Sequence, residues 1–210
     1  MIDSARLKTV FRTIASAIEA DRDRLCALDG VIGDADHGIA MTLGYSAARD
    51  AVDALDDSTD PTTLLNTAAK SFLNAVGASS GPLYATAFMR AAASVKGKPV
   101  LEDGDFIGML QAMAQGMADR GKATVGEKTM IDAWVPAADA ASKAWNETAN
   151  LCDSLSEAVR AANAGMEATA SMVATKGRSA RLGERSLGHV DPGAASAVVT
   201  IEATRKALCG

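Results

Sequence analysis

The sequence is poor in aromatic residues, cysteine and histidine, and each shortage excludes certain fold classes or metal sites. Phe, Trp and Tyr make up 4% of 210 residues. Strand-forming residues are few, whereas the helix formers Ala, Leu, Met and Glu are abundant, so we expect an all-α protein. Cys26, Cys152 and Cys209 lie far apart without a CxxC pair, which indicates neither a disulfide framework nor a zinc knuckle; we expect reduced thiols. His37 and His189 are too few for a conventional zinc site.

Positive charge is also in short supply. Lys and Arg number 21 against 26 Asp and Glu, for a net charge of −5. A general nucleic-acid-binding protein needs a basic face. No apolar run reaches the roughly 20 residues that span a bilayer, and the opening MIDSARLKTVFRTI lacks the apolar core of a signal peptide. We therefore expect a cytoplasmic protein whose partners include neither nucleic acid nor membrane.

Apolar residues recur at three- and four-residue steps along most of the chain, which is the helical period. Turn-rich stretches such as DDSTDP and KGKP separate the apolar stripes. We predict eight helices, over residues 3–28, 37–54, 62–76, 82–96, 103–120, 129–145, 153–173 and 193–207. Because most connections are short, neighbouring helices should run antiparallel, as in an up-and-down bundle. One domain over residues 1–210 is the simplest organisation.

The stretch DGVIGDADHGIAM places Asp29, Asp34 and Asp36 within eight positions. Crowded carboxylates repel one another unless water screens them or a cation joins them. A calcium loop of the EF-hand type is excluded, because its twelfth position needs Glu and is Tyr45 or Ala40 here. For any one aspartate, a helix cap is the simpler explanation. All three together, with glycines on either side, favour one or two divalent ions such as Mg²⁺, which prefers oxygen ligands.

Three further segments are compatible with an anion or nucleotide site, although each also has an ordinary structural explanation. His37 begins a predicted helix, where free N–H groups attract phosphate, yet it could simply be a capping or half-buried residue. Ser79 and Ser80 in GASSGP are either a phosphate cradle or a plain N-cap. Met130 in GEKTMIDAW could pack on a flat ring such as adenine or belong to the core. Neither a Walker loop nor a Rossmann fingerprint is present.

The stretch TKGRSARLGERSLGHVDPG, residues 175–193, has no helical stripe and contains four glycines. Loops of this length are usually functional or disordered. Its basic residues are Lys176, Arg178, Arg181 and Arg185. The most cationic segment of an acidic protein is thus a Gly-rich loop, which suits an anionic ligand. At its end, Asp191 could cap the last helix, with Pro192 in the first turn.

Four segments occur in an order typical of one family: GDADHG, GASSGPLYATAF, GEKTMIDAWVP and ATKGRSARLGERSLGHVDPGA. From about residue 25 to 200 they resemble the nucleotide-binding L subunits of dihydroxyacetone kinases. The length is similar to that of a free-standing L subunit and not of the fused ATP-dependent kinase. The resemblance implies a closed barrel of eight antiparallel helices with the nucleotide at one end. One departure is that the family's GGASG reads GASSG, with Ala78 and Ser79 exchanged in character, which should alter the cradle slightly.

The resemblance also implies a set of site residues. Two Mg²⁺ ions that bridge the nucleotide phosphates would be held by Asp29, Asp34 and Asp36. The nucleotide would be contacted by His37, Gly38, Ile39, Ala40, Ser79, Ser80, Gly121, Met130, Gly177, Arg178, Asp191, Pro192 and Gly193. Within this set, Gly121 and Met130 would border the adenine. Arg178 would also assist the chemistry as the catalytic residue.

The implied activity is phosphoryl transfer, which depends on positioning and charge neutralisation. Phosphate would pass from Mg-bound ATP to dihydroxyacetone held on a separate K subunit. ADP would stay bound as a coenzyme, and an M subunit carrying a phosphohistidine would regenerate ATP. A second copy of the chain is a further candidate partner. Two alternatives are the L subunit of a kinase for another short ketose or sugar alcohol, such as erythrulose, and a nucleotide-sensing partner of a transcription factor.

Overall fold

The computed structural model describes residues 1–77 and 79–210, so Ala78, one half of the exchange in GASSG, lies outside the described residues. Over these residues the chain forms nine α-helices, two short 3₁₀ segments and no strand. The helices are α1 Ser4–Ala20, α2 Arg22–Ile32, α3 His37–Asp53, α4 Pro61–Ala75, α5 Ser80–Ser94, α6 Asp103–Gly121, α7 Ile131–Thr148, α8 Leu151–Ala168 and α9 Pro192–Cys209. The 3₁₀ segments are Thr169–Ser171 and Ser179–Ser186.

Eight of these helices close into a ring. Each of α3 to α8 packs against the next helix, and α1 packs against both α9 and α3. The predicted all-α barrel of eight helices is therefore confirmed. Helix α2 is the additional element, and it packs mainly on the side of α3 and also against α9. None of the helices in the described chain is long and apolar enough to cross a membrane.

The prediction of one helix over residues 3–28 is wrong. The chain leaves helical geometry at Asp21 (φ −98°, ψ 3°), where its N–H still donates to the Ala17 carbonyl, and a second helix runs on to Ile32. Neither Pro nor Gly marks this break, so no residue type at this position predicts it. The extension of α2 matters because it carries Asp29 in a helix and not in a turn.

The barrel interior is built from close aromatic contacts and small residues. Tyr45, Phe72, Tyr84 and Phe88 are buried, with ring centroids 5.2–6.4 Å apart. A methyl group at Gly44 would overlap the Phe72 ring, so glycine allows α3 and α4 to approach. Burial of such rings supplies much of the stabilisation of a core.

The two ends of the barrel differ in chemistry. Helices α3, α5 and α9 begin at His37, Ser80 and Pro192, which line one cleft together with Gly121 at the end of α6. Antiparallel packing therefore brings the N-termini of alternate helices to the same end. The uncompensated N–H groups of helix N-termini attract anions.

The opposite end of the barrel carries a disulfide between Cys152, at the start of α8, and Cys209, at the end of α9. The expectation of reduced thiols is wrong for these two residues. They are separated by 57 positions, so their spacing did not suggest pairing. Antiparallel packing of α8 on α9 brings their Cα atoms to 5.6 Å. Cys26 is a free thiol.

Candidate functional site

A cleft of about 410 Å³ opens at the N-terminal end of α3, α5, α7 and α9. This is a usual size for a small-molecule site. The predicted site residues that line it are Asp29, Asp36, His37, Ala40, Ser79, Ser80, Gly121, Met130, Gly177, Arg178, Asp191, Pro192 and Gly193. The fold thus brings together residues that are spread over most of the sequence.

Three predicted site residues are not among those that line the cleft: Asp34, which joins the aspartate cluster described below, and Gly38 and Ile39 in the first turn of α3. A methyl group at Gly38 would overlap the Arg22 carbonyl oxygen, so this glycine allows α3 to pack against α2. The Ile39 side chain is 51% exposed. Any role of these two residues at the cleft must come from their backbone N–H groups in the first turn of α3.

Asp29 joins α2 to the start of α3. Its carboxylate is buried, and Oδ2 accepts the backbone N–H groups of Asp36 (2.9 Å) and His37 (3.2 Å). A methyl group at Gly33 would overlap Asp29 Oδ1, so only glycine leaves room for this side chain. Asp29 therefore caps the start of α3, which is the simpler role expected of a single aspartate. It also lies in the acidic cluster.

The acidic cluster consists of Asp29, Asp34 and Asp36, each of which offers one carboxylate oxygen within 4.8 Å of the others. A cation already lies among them. Arg178 Nη1 forms an ion pair with Asp34 and lies 3.2 Å from both carboxylate oxygens of Asp36. Loss of solvation raises the pKa of Asp34, but the hydrogen bond and charge of Arg178 together outweigh it, so the pKa lies below its usual value.

The acidic cluster fits a magnesium site by its donor set. All three ligands are carboxylate oxygens, and they approach closely enough to share an ion. Mg²⁺ is commonly bound through a few carboxylates together with substrate phosphates. Ala35, between Asp34 and Asp36, has φ 61°, a left-handed conformation that is uncommon outside glycine.

The His37 side chain links the starts of α3 and α9. Its Nε2 lies 2.9 Å from Ser196 Oγ, which donates to the Gly193 carbonyl at 3.0 Å. Burial lowers the pKa of the imidazole, although the charges of Asp29 and Asp36 raise it. The lowered pKa favours the neutral imidazole, so the backbone N–H groups are the main source of positive potential at this helix start.

Part of the cleft wall is apolar. Met130 is buried beside Gly193, where an added Cβ would lie 3.4 Å from Met130 Cβ. Gly121 lies against Leu83 in the same way, at 3.3 Å. Met117 and other small or apolar residues continue this wall. An apolar slot that leads to carboxylates, a guanidinium and helix N-termini matches a ligand with a flat ring and an anionic tail.

The wall of the cleft contains a buried polar cluster that no sequence pattern predicted. Lys128 is only 1% exposed, and its Nζ donates to the carbonyl oxygens of Thr169 (2.5 Å) and His189. Burial raises the pKa of nearby Asp191 to about 7, although its bond to the Ala194 N–H and the charge of Lys128 act in the opposite direction. A lysine in a polar, glycine-containing turn gives no signal that it will be buried.

The long connection is more ordered than the sequence suggested. Ser179–Ser186 forms a 3₁₀ segment interrupted at Gly183, whose φ is 54°. Ser186 Oγ accepts the Ala174 N–H (2.9 Å) and donates to the Gly183 carbonyl (2.7 Å). The segment is thus folded on itself, with Arg178 projecting to the acidic cluster.

Comparison with known proteins agrees with this architecture. The model of the DAK2 domain matches residues 31–206. The ADP-binding subunit DhaL of PEP-dependent dihydroxyacetone kinase 2 from Listeria innocua is 39% identical over 93% of the chain and 91% of its own length. The corresponding subunit from Escherichia coli is 36% identical over 87% of the chain and 86% of its own length. The structure of the C. freundii dihydroxyacetone kinase in complex with AMP-PNP and Mg²⁺ superposes with a TM-score of 0.75 at 24% identity; the match covers 96% of the chain and 34% of that protein, and shows the fold.

Proposed function

The chain belongs to the DAK2-domain family, which includes ADP-binding subunits of dihydroxyacetone kinases, and we propose that it is the phosphoryl-donor subunit of such a kinase. We further propose that residues 1–210 act as one nucleotide-binding domain. The observation that carries the proposal is the composition of the cleft, which combines an apolar stretch of wall with carboxylates of the acidic cluster and the N-termini of helices. A nucleotide has the matching groups, namely a flat base and a chain of anionic phosphates.

The acidic cluster is the proposed metal site. Two Mg²⁺ ions bound by Asp29, Asp34 and Asp36 would offset the negative charge on the nucleotide phosphates. Asp29 also accepts two N–H groups at the start of α3, so its carboxylate is fixed before any ion binds. Such outer hydrogen bonds orient a ligand and raise its affinity for metal.

The phosphates would lie against the starts of helices. Ser79 is the N-cap of α5 and Ser80 is its first residue, and their N–H and hydroxyl groups can donate to phosphate oxygens. At α3, the N–H of His37 is already bonded to Asp29, which leaves the N–H groups of Gly38 and Ile39 for an anion. Both residues would thus contribute through their backbone, although neither lines the cleft.

Arg178 is the proposed catalytic residue. Its guanidinium now balances Asp34 and Asp36. Cations bound to these carboxylates would repel it, and the transferred phosphate would become its partner. A planar guanidinium donates two parallel hydrogen bonds to such a group and stabilises charge that develops during transfer.

The acceptor and the phosphate source would lie on other chains. The relatives named above are subunits of PEP-dependent dihydroxyacetone kinases. We propose that dihydroxyacetone is held by a K subunit, that an M subunit rephosphorylates resident ADP, and that the three work in the cytoplasm. The names of the relatives favour dihydroxyacetone over another ketose and a kinase subunit over a regulator.

Release of bound nucleotide tests the proposal most directly. The protein is purified without added nucleotide, half is treated with EDTA, and both halves are desalted, denatured and chromatographed. We expect close to one ADP per chain, lost after EDTA. An empty protein that binds ATP reversibly would indicate an exchanging kinase subunit. Absence of any nucleotide binding would leave the aspartates as an acidic turn and refute the proposal.

A further inference from the structure

The long loop is held at both ends by two consecutive residues. We call residues 175–189 the Arg178 loop. At its start, Thr175 N–H donates to the Glu127 carbonyl at 3.4 Å, and Thr175 Oγ1 to Glu127 Oε1 at 3.3 Å. Lys176 Nζ lies 3.7 Å from the same carboxylate oxygen. At its end, Lys128 Nζ donates to the His189 carbonyl. The two ends of this 15-residue segment are therefore bonded to two consecutive residues, Glu127 and Lys128.

Glu127 and Lys128 are themselves held by further hydrogen bonds. Glu127 Oε2 accepts the Thr124 N–H at 2.8 Å, which fixes the carboxylate within its own turn. Lys128 also donates to the carbonyl of Thr169, where α8 ends. Thr169 Oγ1 in turn accepts the Asp191 N–H at 2.9 Å. The turn that leads into α7, the end of α8 and the start of α9 are thus joined around one lysine.

Burial of this lysine needs a reason. A buried ammonium is costly unless it is well paired. Desolvation lowers the pKa of Lys128, and the charges of Asp191 and Asp132 raise it. Two backbone carbonyls from separate segments are its hydrogen-bond partners. An apolar residue would fill the same space without this cost, but it would not hold either segment.

We propose that Glu127 and Lys128 are positioning residues, a clasp that fixes both ends of the Arg178 loop at the cleft and so presents Arg178 to the acidic cluster and to the phosphoryl group. The first half of this statement concerns the protein alone, and the second half rests on the proposed function. Arg178 is three residues beyond Thr175, so a shift at the clasp moves the guanidinium directly.

The loop provides its own probe of the clasp, because trypsin cuts after Lys176, Arg178, Arg181 and Arg185. Nucleotide-free protein is digested briefly, and the fragments are identified by mass. Glu127→Ala loses the carboxylate that contacts Thr175 and Lys176, and loop cleavage should rise about tenfold. Lys128→Met loses the hydrogen bonds to the Thr169 and His189 carbonyls, and cleavage should rise further. Glu157→Ala is the matched control, since it removes an exposed carboxylate paired with Arg160 on α8 and should leave loop cleavage unchanged.

Unchanged loop cleavage in folded Glu127→Ala would overturn the clasp. If Lys128→Met does not fold, as judged by circular dichroism, Glu127→Ala and Thr175→Val decide the matter. General cleavage over all helices, in place of cleavage confined to the loop, would also count against the clasp.

Reconstituted phosphoryl transfer tests the second half. Glu127→Ala should lower kcat about tenfold with the nucleotide KM within about twofold of the parent. A parent kcat in a variant with an open loop would overturn the positioning role. If Arg178→Ala itself leaves transfer unchanged, the catalytic assignment of Arg178 fails, while the cleavage result still judges the clasp.

Discussion

Arg178 and Asp36 are 142 residues apart in the chain, yet the Arg178 Nη1 atom lies 3.2 Å from both carboxylate oxygens of Asp36. The same guanidinium pairs with Asp34. The loop arginine therefore offsets the charge of two of the three clustered aspartates, Asp34 and Asp36. Any cation that binds these aspartates competes with it, so metal binding and the position of Arg178 are coupled.

Removal of one aspartate should weaken metal-dependent nucleotide retention. We expect Asp34→Ala or Asp36→Ala to weaken Mg²⁺-dependent ADP binding at least about tenfold, because the remaining carboxylates hold the ion poorly. Isothermal titration with and without EDTA measures this, and circular dichroism should show unchanged helicity. Asp50→Ala, an exposed aspartate of α3 paired with Arg49, is the control. Full retention in either variant would refute the metal assignment.

Substitution of Arg178 should impair transfer more than folding. We expect Arg178→Ala to lower kcat by roughly 100-fold, because a preorganised charge at the developing phosphoryl group is lost. Arg178→Lys should recover little, since an ammonium cannot make two parallel hydrogen bonds. Single-turnover transfer in the reconstituted enzyme measures both. Parent turnover in Arg178→Ala would contradict the assignment.

The stability of the protein should carry a pH dependence due to Asp191. Its pKa is about 7 in the folded chain because it is buried, against an ordinary value near 3.8. Between these values the folded state retains the proton that the unfolded state releases. Stability from this group is therefore full below pH about 4, falls as the pH rises to about 7, and is then constant, a change of roughly 4 kcal/mol.

Asp191→Asn isolates this contribution, since the amide oxygen still caps α9. Urea unfolding of parent and variant is compared at intervals from pH 4 to pH 8. We expect the free energy of unfolding of the parent to decline relative to that of the variant across this range. A constant difference between the two would show that Asp191 titrates normally.

Reduction of the disulfide should destabilise the barrel. Closing the chain between Cys152 and Cys209, 57 positions apart, is worth about 4 kcal/mol by loop entropy. Urea unfolding of the parent should therefore respond to a reductant by about this amount, while Cys152→Ser should not respond. Cys26→Ser should respond as the parent does. Parent stability that is insensitive to reductant would contradict the pairing.

Gly33 and Gly108 make a matched pair of substitutions. A methyl group at Gly33 would overlap Asp29 Oδ1, whereas the position at Gly108 is open and lies within α6. We expect Gly33→Ala to weaken metal binding about tenfold by displacing Asp29. Gly108→Ala should raise stability by about 0.5–1 kcal/mol without any effect on metal. Equal metal affinity in both variants would show that Asp29 is not constrained by Gly33.

Much of the fold could be predicted from the sequence, because the helical period of the apolar residues and the capping residues indicate the same helices. Asp60 accepts the Thr63 N–H and Pro61 opens α4, as the DP pair indicates, and Asp191 with Pro192 repeats the arrangement at α9. The break at Asp21 was not readable, because no residue there excludes helix. The burial of Lys128 and the pairing of Cys152 with Cys209 depend on packing between distant segments, which spacing along one chain does not reveal.

Helices α8 and α9 are joined at both extremities: covalently at Cys152 and Cys209, and through the Thr169 Oγ1 bond to Asp191 N–H. Each is 18 residues long, so the two junctions are about 27 Å apart. Two stiff rods tied at both ends cannot slide past one another. The axial registration of the α9 start, from which Pro192 and Gly193 face the cleft, is therefore set in part by a bond at the far end of the molecule.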